Sequence, residues 1–238
     1  MNNKDEIVFV GRWQFDKTVT EVFDDMLKRS IPELESMRKL VTSIICKFIQ
    51  PNSEVLDLGC STGGAIQDAL ILSQSQNVKF WGVESSKPMC EAAIKRLSSY
   101  ISNGTVEIMN LDLKTNFPKG EFSVISSILT LQFIPIEFRQ EILANIFLNL
   151  KKGGVFIFVE KVLGLNHEGN KLLTDLYLQA KSDNGYSSTQ IESKKKSLEG
   201  ILVPLTGKQN EDFLKEAGFQ KIQQFWQNLN FVGWVAFK

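Results

Sequence analysis

Apolar positions follow two rhythms along this chain. From Thr20 to Arg29 and from Glu33 to Ile49 they recur every three or four residues: Val22, Phe23, Met26 and Leu27, then Leu34, Met37, Leu40, Val41, Ile44, Ile45 and Phe48. That is the spacing of helices with one buried face. Pro32 suits the first turn of the second helix and Pro51 ends it. From Glu54 the rhythm changes to short apolar runs, which predict strands over Glu54–Leu58, Val78–Glu84, Thr105–Leu111, Phe122–Leu129 and Gly154–Glu160. Helical segments over Thr62–Ser73, Lys87–Tyr100 and Ile136–Leu150 lie among them. Such alternation predicts a parallel sheet with right-handed crossovers. After Lys161 come helices over Asn170–Lys181, Ser188–Glu199 and Gln209–Ala217, then two strands, Gln220–Trp226 and Asn230–Phe237, joined by a tight turn at Gln227–Leu229. Phe156, Phe158, Phe225 and Phe231 fall among apolar residues in strands and read as core.

Composition agrees with one α/β enzyme domain over 1–238, with a helical cap over 1–50 and a helical insertion over 162–208. The chain has 238 residues, 43% of them hydrophobic, enough to bury a substantial core. Lys plus Arg and Asp plus Glu balance at 27 each. This neutrality argues against direct nucleic-acid contact and favours a small-molecule substrate. Cys46, Cys60 and Cys90 are scattered, as reduced thiols of a cytoplasmic protein would be. A single histidine, His167, and no clustered ligand motif leave no metal site to predict. The start, Met1–Val10, is polar, and no apolar run reaches the roughly 20 residues that a membrane span needs, so a soluble cytoplasmic protein is expected.

Candidate chemistry is concentrated in Val55-Leu56-Asp57-Leu58-Gly59-Cys60-Ser61-Thr62-Gly63-Gly64, a strand that runs through an acid into a glycine-rich turn and a helix. A dinucleotide loop would read G-x-G-x-x-G and cradle phosphate. Here that pattern is missing, and Asp57 stands two residues before the first glycine, where a carboxylate repels phosphate and suits a cation. The spacing resembles the D/E-x-G-x-x-x-G loop of class I S-adenosylmethionine-dependent methyltransferases. The resemblance implies a Rossmann-like fold: a seven-stranded, mostly parallel sheet with an antiparallel C-terminal strand and helices on both faces. It also implies S-adenosyl-L-methionine, or S-adenosyl-L-homocysteine, as the ligand. Strand ends then supply the contacts: Asp57, Gly59, Cys60 and Ser61 for the amino-acid part and ribose, Glu84 with Ser85 for the ribose hydroxyls, Asp112 and Leu113 for adenine, and Ser127 and Ile128 beside the reactive methyl. The rival reading of an acid before a helix is an N-cap. Three acids at successive strand ends beside a glycine loop go beyond capping. Cys60 itself reads as a small packing residue.

Longer segments resemble one subfamily, the bacterial carboxy-S-adenosyl-L-methionine synthases, which serve wobble-uridine modification of tRNA. These are Trp13-Gln14-Phe15-Asp16, Glu21 to Met26, Arg29-Ser30-Ile31-Pro32, Asp57 to Ser61, Leu129 to Phe133, Asn184-Gly185-Tyr186-Ser187 and Ala217-Gly218-Phe219. The resemblance implies conversion of S-adenosylmethionine and prephenate to carboxy-S-adenosyl-L-methionine and phenylpyruvate, and a homodimer with the Tyr186–Leu198 segment near its interface. Three positions depart from the pattern. The family arginine for the new carboxylate aligns with Lys195, in the run Lys194-Lys195-Lys196; a family tyrosine becomes Leu34, and a family asparagine becomes Ile128. Lysine keeps the charge without the planar fork, and a solvated helix face is the rival reading of the run. The departures put methyl transfer first and carboxylated-cofactor synthesis second. A scaffold that binds cofactor without catalysis is a third class. Ile128, Leu34 and Phe15 are expected to wall an apolar acceptor pocket. Tyr186 and Lys195 are the candidate catalytic residues, with Glu160 and Lys161 near the acceptor.

Overall fold

The structure is a computed structural model that describes residues 4–73 and 77–238; Met1–Asn3, the head of the polar start, and residues 74–76 lie outside it. Two helices, α1 (Lys17–Ser30) and α2 (Leu34–Phe48), precede β1 (Glu54–Leu58). Then follow α3 (Gly64–Leu72), β2 (Lys79–Glu84), α4 (Lys87–Arg96), α5 (Ser98–Ser102), β3 (Val106–Asn110), β4 (Phe122–Ile128), α6 (Ile136–Asn149) and β5 (Leu150–Leu163). The chain closes with α7 (His167–Asp183), α8 (Ser188–Ser197), β6 (Leu205–Thr206), α9 (Gly207–Glu216), β7 (Lys221–Asn228) and β8 (Phe231–Phe237). Strand order is β3-β2-β1-β4-β5-β8-β7, with the two-residue β6 paired to the end of β5. Every neighbour pair from β3 to β5 is parallel, and β8 runs antiparallel to both β5 and β7. This is the Rossmann-like sheet expected from the glycine loop.

Alternation along the central strands feeds two cores. Val55, Val124 and Val155 face Met37, Val41 and Ile45 of α2 and Ile66 and Ala69 of α3. Leu56, Ile125 and Phe156 face Ile142, Leu143 and Ile146 of α6 and Leu214 of α9. Burying both faces requires the near-continuous apolar strands seen in the sequence. A third cluster, with Trp13, Val22, Phe23 and Met26, packs α1 against Met89 of α4 and roofs the carboxyl ends of the strands. Order reverses beside β1, so the carboxyl ends of β1 and β4 open at the switch point where open α/β sheets take ligands.

Boundaries differ from expectation for local reasons. Pro32 sits in a turn before α2, because Glu33 is left-handed (φ 51°) and the helix starts only at Leu34. The single helix expected over Lys87–Tyr100 breaks at Leu97 into α4 and α5. α7 begins three residues early, since the Asn166 side chain accepts from the Gly169 amide at 2.7 Å and caps it.

Candidate functional site

Backbone geometry builds the loop after β1. Gly59 has φ 71°, and a Cβ there would stand 2.3 Å from the Thr130 side chain, so only glycine fits. The amides of Gly59 and Cys60 donate to the Val83 carbonyl at 2.8 and 3.0 Å, tying the loop to β2. Asp57 is buried and pairs in register with Ser126 of β4, whose hydroxyl donates to it at 2.7 Å. Burial pushes this carboxyl up to about 7, against the Ser126 hydrogen bond and the positive charge of Arg38. Glu84, also buried and also pushed up by desolvation, accepts from the Ser61 amide at 3.0 Å and the Ser86 amide at 2.8 Å. Asp112 accepts from the Lys114 amide at 3.0 Å and faces its ammonium at 3.3 Å.

These residues surround one cavity of about 370 Å³. Asp57, Gly59, Cys60, Ser61, Glu84, Ser85, Asp112, Leu113 and Ile128 all line it, as do Leu34 and Phe15. Ser127 does not line it. Its neighbours Ser126 and Ile128 point to the α2 side of β4, and alternation sends Ser127 to the other face, fully buried with its hydroxyl unpartnered among the described residues. Cys60 packs over Gly82, where a Cβ would lie 2.8 Å from its sulfur, and burial holds its thiol well above the usual range. It is a packing residue, as expected.

Lys195 is likewise outside the lining. Its side chain is on the exposed face of α8, while the preceding residue, Lys194, turns inward and lines the cavity. One residue along a helix is a rotation of about 100°, which separates the two. Lys194 is 6% exposed; its Nζ lies 3.3 Å from Ser30 Oγ and 3.7 Å from a carboxylate oxygen of Asp5. Burial, with Lys181 nearby, pushes this ammonium down to about 7. Tyr186 is buried behind it, donating to Asp5 and accepting from Ser30 at 3.4 Å, and its phenol is pushed far up by burial. Tyr186 holds the lysine's surroundings and stands apart from the cavity lining. Glu160 also lies outside the lining: it accepts from the Leu131 amide at 3.1 Å and fixes the turn that carries Gln132 and Phe133 into the cavity.

Sequence reasoning missed Asp5, Arg38, Tyr177 and the inward phase of Lys194. Arg38 follows from the α2 helical stripe, one residue beyond Met37, and bridges to Asp68 of α3 at 2.7 Å. Lys194 had no such signal, since Ile191 is the one aliphatic residue of α8 and sets no stripe. Among the described residues no group of three His, Cys, Asp or Glu could hold a metal ion, and no helix is long and apolar enough to cross a membrane.

A family model described as a methyltransferase domain matches residues 55–154. The carboxy-S-adenosyl-L-methionine synthase of Campylobacter lari is 35% identical over 99% of this chain and 100% of its own length. The chain belongs to the carboxy-S-adenosyl-L-methionine synthase family. The synthase of Desulfotalea psychrophila is 31% identical over 95% of this chain and 92% of its own. Solved structures agree on the fold. An O-methyltransferase family protein from Burkholderia thailandensis superposes with a TM-score of 0.66 at 16% identity, covering 94% of this chain and 60% of that one. Haemonchus contortus phosphoethanolamine N-methyltransferase 2, solved with S-adenosyl-L-methionine, gives 0.65 at 16%, covering 95% and 58%. Within the family fold, the glycine loop, the three strand-end acids and a buried lysine share one cavity here, with Leu34 and Ile128 in its wall.

Proposed function

We propose that the chain is a carboxy-S-adenosyl-L-methionine synthase, and the observation that carries this is the buried ammonium of Lys194 in the same cavity as Asp57 and Glu84. S-adenosyl-L-methionine is the cofactor, and the chain is a transferase that depends on it. When bound, this cofactor supplies a sulfonium-activated methyl group. The residues present fit it. Asp57, whose carboxyl is pushed up to about 7 when alone in the cavity, gains a cation in the ligand's amino group and ionises fully. Glu84 keeps acceptor capacity for ribose hydroxyls beyond its two backbone amides. Leu113 and Asp112 flank the place for adenine.

The order expected from sequence reverses on charge. Lys194, paired with Asp5 and pushed down to about 7 in the free cavity, gains nothing from methyl transfer, whereas an added carboxylate favours its protonated form. In carboxylation the carboxyl group leaves the prephenate ring and forms a C–C bond at the methyl carbon, while the methyl proton and the ring hydroxyl leave as water and phenylpyruvate remains. The ligand gains one negative charge, which protonated Lys194 offsets in a site shielded from water. Ser30 and Asp5 hold that ammonium, and Trp13 and Phe133 exclude solvent. The test is incubation with S-adenosyl-L-methionine and prephenate followed by accurate mass of the products. Carboxy-S-adenosyl-L-methionine and phenylpyruvate are expected from the native chain, and neither from Lys194→Met.

Methyl transfer to a small apolar acceptor is the second reading, favoured by Leu34, Ile128 and Phe15 lining one wall. There the chain needs only to align the acceptor and exclude water, and Ile128→Asn should change acceptor turnover. We further infer a cytoplasmic homodimer whose product serves wobble-uridine modification of tRNA without this chain touching the nucleic acid. The Tyr186–Leu198 segment lies at the proposed interface, and Lys195, exposed in the single chain, is then available to the partner copy. Light scattering on the purified protein reads the oligomeric state, and tRNA nucleosides from a deletion strain read the pathway role.

A further inference from the structure

The glycine loop has few amides left for an anion. Those of Gly59 and Cys60 donate to the Val83 carbonyl, that of Ser61 to the Glu84 carboxylate, and that of Gly63 to the Cys60 carbonyl at 2.8 Å. Asp57 and Glu84 add two carboxylates beside the loop, which suit the ammonium and ribose of the cofactor and oppose its α-carboxylate. A cation for that group comes from α2. Arg38 lines the cavity, and its neighbour Met37, with Val41 and Ile45, packs α2 on the sheet, so core structure carries the guanidinium. Gly64, the first residue of α3, makes room for it: a Cβ there would stand 2.7 Å from Arg38 Nη2 and 3.1 Å from Arg96 Nη1. The two guanidinium groups differ in what they have left to give. Arg96 donates to the Thr62 hydroxyl at 2.9 Å and pairs with Asp24. Arg38 meets Asp68 of α3 through Nη2 at 2.7 Å, and its buried Nε has no partner among the described residues. A partly exposed ion pair of this kind contributes little alone, and it leaves most of the five N–H donors of Arg38 unused. Burial pushes the Asp57 carboxyl up, and the Ser126 hydrogen bond and the Arg38 charge oppose it, so Arg38 is within electrostatic reach of the acid that meets the ammonium.

We propose that Arg38 takes the α-carboxylate of the cofactor's amino-acid part, so that this zwitterion is held between Asp57 on β1 and Arg38 on α2, and not by the amides of the glycine loop. Gly64 is the position that admits the guanidinium. The clamp depends on S-adenosyl-L-methionine alone and is independent of which group is transferred. Calorimetric titration with S-adenosyl-L-methionine, and with its decarboxylated analogue, which keeps the sulfonium and the ammonium, tests it. The native protein should prefer S-adenosyl-L-methionine by at least about ten-fold, the scale of one charge-assisted pair. Arg38→Met keeps the stem and should erase that preference, weakening S-adenosyl-L-methionine by about ten-fold or more and leaving the analogue within about two-fold. Gly64 is helical, so alanine suits its backbone. Gly64→Ala retains the charge and displaces the guanidinium, and it should reduce the preference in the same direction; if Arg38→Met does not fold, this variant carries the test. Asp68→Asn breaks the tie to α3 and should keep the preference. A role confined to the ion pair between α2 and α3 predicts the opposite, with Asp68→Asn reproducing Arg38→Met and both ligands weakened alike. Equal losses of the two ligands in Arg38→Met, or a native preference below about two-fold, overturn the clamp.

Discussion

The strand-end side of the cavity and its helical side hold charge by opposite means. Asp57, Glu84 and Asp112 stand at or just past strand ends, on or beside backbone fixed by the parallel ladder, and backbone amides or a paired serine orient them. Lys194 reaches in from α8 on a long side chain, held by the Trp13 and Tyr186 ring faces and by Asp5, a residue from the segment before α1. In the proposed synthase, the strand-end side would serve the feature common to the fold, an adenosyl ligand with a cationic amino acid. In the same synthase, the helical side would serve what distinguishes one reaction from another, an anionic group near the methyl carbon. Rigid elements carry the shared task and appended helices carry the specific one.

The sharpest break of this contrast is at Gly59. Gly59→Ala places a Cβ against the β-branched Thr130 at positive φ, and we expect a loss of about 3 kcal/mol in folding stability by denaturant titration, with cofactor binding abolished. Next is Asp57→Asn, which should keep the fold and weaken S-adenosyl-L-methionine by about a hundred-fold in calorimetry. Because this carboxyl lies near 7 when the cavity is free of cations, binding to the native protein should release protons near pH 7. The enthalpy measured in buffers of different ionisation heat should then vary in the native protein and stay constant in the variant. On the helical side, Lys194→Met should weaken carboxy-S-adenosyl-L-methionine by about ten-fold while leaving S-adenosyl-L-methionine within about two-fold. Equal losses for both ligands would erase the distinction between the two sides.

The smallest effect is at Glu160. Its carboxyl is pushed from 4.5 to about 8 by burial, so the folded chain binds more protons than the unfolded one between those values. Its contribution is therefore full below pH 4.5 and is lost as pH rises through 8. Glu160→Gln, which stays neutral, should leave the melting temperature unchanged at pH 4 and raise it at pH 9. A rise of equal size at both pH values would contradict the assignment.

The same contrast separates what was legible in the sequence from what was not. Glycine spacing and acids at strand ends are local signals, because strand, turn and ligand contact fall within ten residues of one another. Nine of the eleven expected cofactor-site residues accordingly line the cavity. Ser127 failed because reading the end of β4 as a block ignored its two-residue alternation. Lys195 falls outside the lining and Lys194 inside it because α8 carries too few apolar residues to set its phase, leaving three consecutive lysines indistinguishable in sequence. Asp5 belongs to a polar start with no periodicity, and its place beside Lys194 depends on a tertiary contact across 189 residues of chain. Pairings of that range leave no mark on local pattern.

The most direct test is the mass of the small molecule that accompanies the protein when it is purified with no ligand added, read by native mass spectrometry and after release. Carboxy-S-adenosyl-L-methionine, retained by the native chain and missing from Lys194→Met, is the predicted result. S-adenosyl-L-methionine or S-adenosyl-L-homocysteine alone, in equal amounts in both proteins, would contradict it.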